Sequence, residues 1–115
     1  MCKNKLFFLC SFLILLIVGC SDAGKSQVVS SNEEVILNGI KSENSVMQRV
    51  KSYKWKQTTG KKVLLQNDDM VTSSFIAPIV SEKTKLVFKL TTVECLRRLP
   101  CIESSDNVII TVLPK

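Results

Sequence analysis

The fold is decided by one stretch of the chain, YKWKQTTG, residues 53–60. Its side chains alternate between two sides, with Tyr53, Trp55 and Gln57 on one and Lys54 and Lys56 on the other. This period of two is typical of a strand with one buried face, and Gly60 marks the turn that ends it. Because Trp55 offers a large apolar area to bury, we expect this strand to cross the core.

The same alternation recurs in five other short segments, separated by turn-forming residues. They are Val35–Leu37, Val63–Leu65, Phe75–Val80, Leu86–Leu90 and Val108–Val112. Pro78 suits an edge or a bend, and residues 40–50 could be a loop, an extra strand or one helical turn. No stretch shows a convincing helical period. The pattern predicts an all-β fold, an antiparallel β-sandwich of about seven strands.

The first 19 residues have the features of an export signal. Lys3 and Lys5 precede a run from Leu6 to Val18 in which only Ser11 is polar. Since a spanning helix needs about 20 apolar residues, this run favours a cleaved signal peptide over an uncleaved anchor. Without it, 14 basic residues face 10 acidic ones, and this net charge of +4 is too small to indicate nucleic-acid binding.

Residues 17–20, Ile-Val-Gly-Cys, resemble the bacterial lipobox. The resemblance implies cleavage between Gly19 and Cys20, a diacylglyceryl group on the Cys20 thiol and an N-acyl chain such as palmitate. It places the protein in the cell envelope and, because Ser21 follows the cysteine, at the outer membrane if the organism is Gram-negative. Residues 20–32 are small and polar, so we predict a flexible lipidated tether.

Two of the five cysteines, Cys95 and Cys101, remain after processing and lipidation. An even pair in an oxidising compartment predicts a disulfide, with two free thiols as the alternative. A metal site is disfavoured because the chain has no histidine and two cysteines do not complete a tetrahedral shell.

Six segments in order resemble a PKD-type (polycystic kidney disease) immunoglobulin-like domain. They are VILNG at 35–39, YKWKQTTG at 53–60, VLL at 63–65, FIAP at 75–78, LVFKLT at 86–91 and DNVIITV at 106–112. The resemblance covers residues 33–113, so we assign 33–115 to this domain. It implies a two-sheet sandwich with Trp55 packed between the sheets. The Cys95–Cys101 loop stands where relatives tend to have a Gly-rich hairpin.

No catalytic group emerges from the residue inventory. The absence of histidine excludes Ser-His-Asp and Cys-His arrangements, and no phosphate-binding glycine motif is present. Asp68 and Asp69 could bind a cation, but adjacent acids between strands are more typical of a solvated turn. We therefore expect no enzyme activity and no cofactor other than the covalent lipid.

A basic face is the one candidate binding surface. Lys54 and Lys56 point outward from the Trp55 strand, while Lys85 and Lys89 flank a strand expected beside it, with Arg97 and Arg98 near one end. This face could simply be solvated, or it could bind anionic lipid, an anionic polysaccharide or an acidic protein.

The sequence thus predicts a lipid-anchored envelope protein that acts as a protein-interaction or accessory module. The membrane is one partner, through the lipid, and an envelope protein is the other. The alternative is a carbohydrate-binding or adhesive module, since PKD-type domains commonly accompany such functions. It is disfavoured because Tyr53 and Trp55 share the inward face and are not free to stack on sugars. A purely structural spacer is disfavoured because a single domain beside a membrane has no second domain to hold away from it.

Overall fold

The computed structural model describes residues 21–40, 49–95 and 100–115. Its six strands are β1 (Gln27–Ser30), β2 (Glu34–Asn38), β3 (Arg49–Thr59), β4 (Thr72–Ile76), β5 (Thr84–Cys95) and β6 (Ile102–Leu113). They form a four-stranded sheet in the order β1-β6-β5-β3 and a two-stranded sheet of β2 and β4. The predicted all-β sandwich is confirmed. The described residues include no helix that could cross a bilayer.

The two sheets pack face to face around Trp55, which is 1% exposed. The inward positions of β5 and β6 line the core from the four-stranded sheet: Leu86, Phe88, Leu90, Val108, Ile110 and Val112. The two-stranded sheet supplies Val35, Leu37 and Phe75. The rings of Phe75 and Phe88 meet across the sheets with centroids 4.8 Å apart. As the alternation predicts, every second side chain is buried along β2, β4 and β5 and in the second half of β6.

Gly60 ends β3 in a conformation that only glycine adopts easily. Its φ is +101°, and a Cβ there would lie 2.6 Å from the carbonyl oxygen of Lys85. The turn after YKWKQTT therefore needs glycine for both backbone conformation and close approach to β5.

The predicted strand at Val63–Leu65 is wrong. Val63 donates its backbone N–H to the side-chain oxygen of Gln57, and the only ladder contact nearby is an isolated bridge between Gln66 and Ser74. Val63 and Leu65 still pack against the core. Their alternation therefore reflected burial without regular pairing.

The segment Phe75–Val80 is only partly a strand. β4 begins earlier, at Thr72, and ends at Ile76, before Pro78. The backbone N–H of Ala77 donates to the carbonyl oxygen of Glu33 at 2.8 Å. This bond lies at the end of the β2–β4 pair, and the strand does not continue beyond it. Residues 41–48 lie outside the described residues. They are most of the segment 40–50, for which the sequence allows a loop, an extra strand or one helical turn.

The prediction of a flexible tether over residues 20–32 is also wrong for the part that the structure describes. Residues 27–30 form β1, which pairs in parallel with β6, with Val28 opposite Thr111. Ser21, Asp22 and Ala23 are buried. The domain therefore begins by Ser21 instead of residue 33, and its larger sheet is mixed rather than purely antiparallel.

Candidate functional site

The antiparallel pairing of β3 and β5 places the predicted lysines on one face. Trp55 and Leu90 are register partners whose side chains point into the core. Their neighbours along each strand therefore point outward, because side chains alternate. Lys56 lies directly opposite Lys89, and Lys85 follows on the same face of β5, opposite Thr111 of β6.

Lys54 shares this face, but a neighbouring carboxylate offsets its charge. Its ammonium group lies 3.2 Å from the carboxylate of Asp68, and both side chains are largely exposed. Such an exposed ion pair adds little stability but offsets the local charge. No described residue forms an ion pair with Lys56, Lys85 or Lys89. Among the side chains that the structure describes, these three lysines carry the unpaired positive charge of the face.

Asp68 and Asp69 belong to a turn. The backbone carbonyl oxygen of Asp68 accepts the backbone N–H of Trp55 at 2.7 Å. The backbone N–H of Met70 donates to the carbonyl oxygen of Asn67, whose φ of +58° is typical of a turn. Within the described part of the chain, no group of three Cys, Asp or Glu residues could hold a metal ion. Asp68 therefore holds the turn and pairs with Lys54.

Exposed apolar side chains lie beside the lysines, a feature that the sequence analysis missed. Ile109 is 40% exposed and is the register partner of Val87, and Val28 of β1 is 68% exposed. The signal for β6 was in the sequence, since its outward positions 109 and 113 are apolar, as its inward positions 108, 110 and 112 are. We call the outward side of the four-stranded sheet the outer face; its members used below are Lys54, Lys56, Lys85, Val87, Lys89, Ile109 and Val28.

The aromatic side chains point away from this face. The indole Nε1–H of Trp55 donates to the carbonyl oxygen of Met70 at 3.0 Å, and Tyr53 is partly buried against the core. Phe75 and Phe88 are buried. Among the residues that the structure describes, no aromatic ring is exposed as a platform for stacking on a sugar.

A cluster of three hydroxyl groups, from Ser21, Thr92 and Ser104, lies inside one end of the sandwich. The Ser21 hydroxyl lies 2.5 Å from that of Thr92 and 2.7 Å from that of Ser104. The backbone N–H of Ala23 donates to the Asp106 carboxylate at 2.8 Å. Because Thr92 occupies an inward position of β5, its need for a partner could have been read from the sequence.

The remaining predicted site residues divide into two sets. Cys95 and Cys101 form a disulfide that closes the β5–β6 hairpin, and their Cα atoms lie 4.1 Å apart. Gly19 and Cys20, the predicted cleavage and lipidation residues, and Arg97 and Arg98 lie outside the described residues.

Comparison with known proteins gives a consistent fold. The solution structure of the PKD domain from KIAA 1837 protein aligns with a TM-score of 0.61 and 30% identity, over 84% of this chain and 89% of that one. A 2,6-sialyltransferase from Photobacterium sp. JT-ISH-224 aligns at 0.58 with 21% identity, over 79% of this chain and 18% of the enzyme. A nucleoside hydrolase-related hypothetical protein from Saccharophagus degradans aligns at 0.56 with 15% identity, over 79% of this chain and 23% of that protein.

The two larger proteins share only the fold, over about a fifth of their length. No curated protein matches the chain in sequence. The family model "K319L-like, PKD domain" matches residues 23–112, which cover β1 to β5 and all of β6 except its last residue, Leu113. This span includes β1, in agreement with its pairing to β6. The chain therefore belongs to the K319L-like PKD domain family, whose fold is a non-catalytic immunoglobulin-like sandwich.

Proposed function

We propose that this protein is a lipid-anchored, non-enzymatic envelope protein whose PKD domain binds an acidic protein partner through the outer face. PKD domains are commonly protein-interaction or adhesion modules. The lipobox-like residues 17–20 support an anchor at Cys20. The chain has no histidine, which excludes Ser-His-Asp and Cys-His arrangements, and its immunoglobulin-like fold also supports a non-enzymatic role.

One observation carries the binding proposal: Lys56 and Lys89 are direct cross-strand partners. Like charges in this relation destabilise a sheet, by about 0.2–1 kcal/mol. Neither ammonium group has an acidic partner among the described residues, and Lys85 adds a third charge on the same face of β5. An acidic partner would remove this repulsion, so binding and relief of the repulsion would be coupled.

The neighbouring apolar side chains favour a protein over other anionic partners. Ile109 and Val28 are exposed next to the lysines, and protein interfaces combine an apolar centre with a polar rim. An acidic protein could cover both kinds of side chain. A polysaccharide would gain little from the apolar part, because no described aromatic ring is available for stacking.

The anchor is tested by metabolic labelling with palmitate. We expect the wild-type chain to incorporate label and to float with membranes. Cys20→Ala should do neither, because the alanine side chain has no thiol to accept the lipid. Labelling that survives in Cys20→Ala would contradict the proposed site of attachment.

The basic face is tested by capture of partners from solubilised envelopes with K56Q/K89Q. A specific partner should bind the wild type at low salt, bind more weakly at high salt and be lost with this variant. The matched control is K62Q/K83Q, which removes the same charge from exposed loop positions. Equal loss with both variants would indicate a general charge effect and would contradict a site on the outer face.

A further inference from the structure

The chain that follows Cys20 is fixed against the domain from its first described residue. The side chain of Ser21 enters a three-hydroxyl group with Thr92 and Ser104. Ser21, Asp22 and Ala23 are 8%, 4% and 1% exposed. Ser21, which is buried and hydrogen-bonded, directly follows Cys20 in the chain, and consecutive Cα atoms are about 3.8 Å apart. No flexible segment separates the proposed lipid site from the sandwich.

The direction of this segment places the lipid at one end of the domain. Ala23 contacts Asp106, and two residues earlier Ser21 contacts Ser104. Followed back toward Cys20, the segment therefore runs beside β6 toward the disulfide that closes the β5–β6 hairpin. We call Cys95, Pro100 and Cys101 the hairpin tip; Pro100 and Cys101 are exposed.

The distance along the strands brings the tip to the membrane. Thr92 and Ser104 are register partners, and each lies three residues from its cysteine. At about 3.3 Å per residue, the tip projects about 10 Å beyond Ser21. Cys20 can account for about 4 Å of this projection, which leaves about 6 Å. The headgroup layer of one leaflet is about 5–7 Å thick.

We infer that the lipidated domain stands upright on the membrane, with the hairpin tip in the phospholipid headgroups beside the Cys20 lipid. This inference rests on the proposed lipidation of Cys20. The acyl chains hold Cys20 at the membrane surface, and the buried Ser21 transmits that position to the hairpin. The tip is then a second membrane contact.

This orientation deepens the proposed function. The strands run away from the membrane, so the outer face points sideways. The row of Lys56, Lys89 and Asn107 lies three residues beyond Ser104 along β6, about 10 Å farther from the membrane. At that height the face can meet a neighbouring envelope protein without lying on the lipid.

The test measures the depth of two matched positions. A genetically encoded fluorescent amino acid replaces either Glu103, near the tip, or Glu82, in the turn before β5; both glutamates are exposed. The lipoprotein is reconstituted into phosphatidylethanolamine and phosphatidylglycerol vesicles that contain a nitroxide-headgroup lipid. Because the two positions are about 30 Å apart along the sheet, we expect quenching at 103 to exceed that at 82 at least about three-fold. Equal quenching, or stronger quenching at 82, would overturn the inference.

A linker variant separates orientation from attachment. A Gly/Ser insertion of about 12 residues between Cys20 and Ser21 has a mean span of about 20 Å. It should keep the protein on the vesicles but bring the ratio of quenching at the two positions close to one. An unchanged ratio would show that Ser21 does not set the orientation.

The same design distinguishes failure of the proposed function. Intact mass and flotation report lipidation directly, and their failure contradicts the anchor. The mature chain, residues 20–115, can then be coupled through the Cys20 thiol to a maleimide-headgroup lipid. The quenching ratio measured on that conjugate supports or overturns the orientation regardless of natural lipidation.

Discussion

The indole of Trp55 donates its Nε1–H to the backbone carbonyl oxygen of Met70 at 3.0 Å. This bond joins β3 of the larger sheet to the loop that leads into β4 of the smaller one. Trp55 is 1% exposed, so its burial and its hydrogen bond both hold the two layers together. Since Trp55 is the only tryptophan, its fluorescence reports on this contact directly.

Trp55→Phe should lower the free energy of unfolding by about 2 kcal/mol, of which about 1 kcal/mol is the lost hydrogen bond and the rest a cavity. Urea unfolding followed by far-UV circular dichroism measures the change. The fluorescence of the wild type should be blue-shifted in the native state and move to the red on unfolding. A native spectrum typical of a solvated indole would contradict the packing of Trp55 between the sheets.

Lys56→Gln should stabilise the isolated domain. The change removes the repulsion between Lys56 and Lys89, so we expect a gain of about 0.2–1 kcal/mol in urea unfolding, largest at low salt. Lys62→Gln, in an exposed loop, is the control and should have a smaller effect. The same Lys56→Gln change should weaken binding of an acidic partner. A lower free energy of unfolding for Lys56→Gln at low salt would contradict a destabilising repulsion between Lys56 and Lys89.

The N-terminal segment should behave as part of the folded domain. The Ala23 N–H is bonded to Asp106 and the residue is buried, so we expect its amide to exchange far more slowly than that of exposed Lys25. Ser21→Ala should cost about 1 kcal/mol, because Thr92 then keeps only Ser104 as a hydroxyl partner. Hydrogen exchange detected by NMR resolves both amides. Equally fast exchange at Ala23 and Lys25 would contradict the ordered segment and support a flexible tether.

Removal of the disulfide should weaken the domain without unfolding it. C95S/C101S opens a short loop, which in the chain-entropy model costs about 2–3 kcal/mol. The core around Trp55 lies away from the hairpin tip, so the circular dichroism spectrum and the Trp55 emission should stay native. Loss of the β-sheet signal at room temperature would mean that the disulfide holds the whole fold.

The sequence predicts the face of each strand better than the pairing of each strand. Trp55 inward and Lys56 outward follow from alternation, and the structure places both as expected. Val63 and Leu65 alternate equally well but form no strand, because the Gln57 side chain takes the N–H that a ladder would use. Periodicity reports burial, whereas pairing depends on a partner that is distant in the chain.

The proximity of the lysines was predictable only through the resemblance. Alternation places Lys56 and Lys89 outward, and the sandwich expected from the family puts their strands side by side. The direct opposition of the two side chains depends on register, which the bulges of β3 between Val50 and Ser52 and between Gln57 and Thr59 adjust. Ile109 is placed beside the lysines by a different register, that of β5 with β6, in which it lies opposite Val87.

The sequence by itself determined the class of fold, the central place of Trp55 and the outward lysines, because alternation of side chains is a local property of the chain. Only the tertiary structure decided that residues 21–30 belong to the domain. Their composition is polar, yet Ser21 is buried through hydroxyl groups 71 and 83 positions away. Such partners satisfy polar atoms inside the protein, and no local pattern can reveal them.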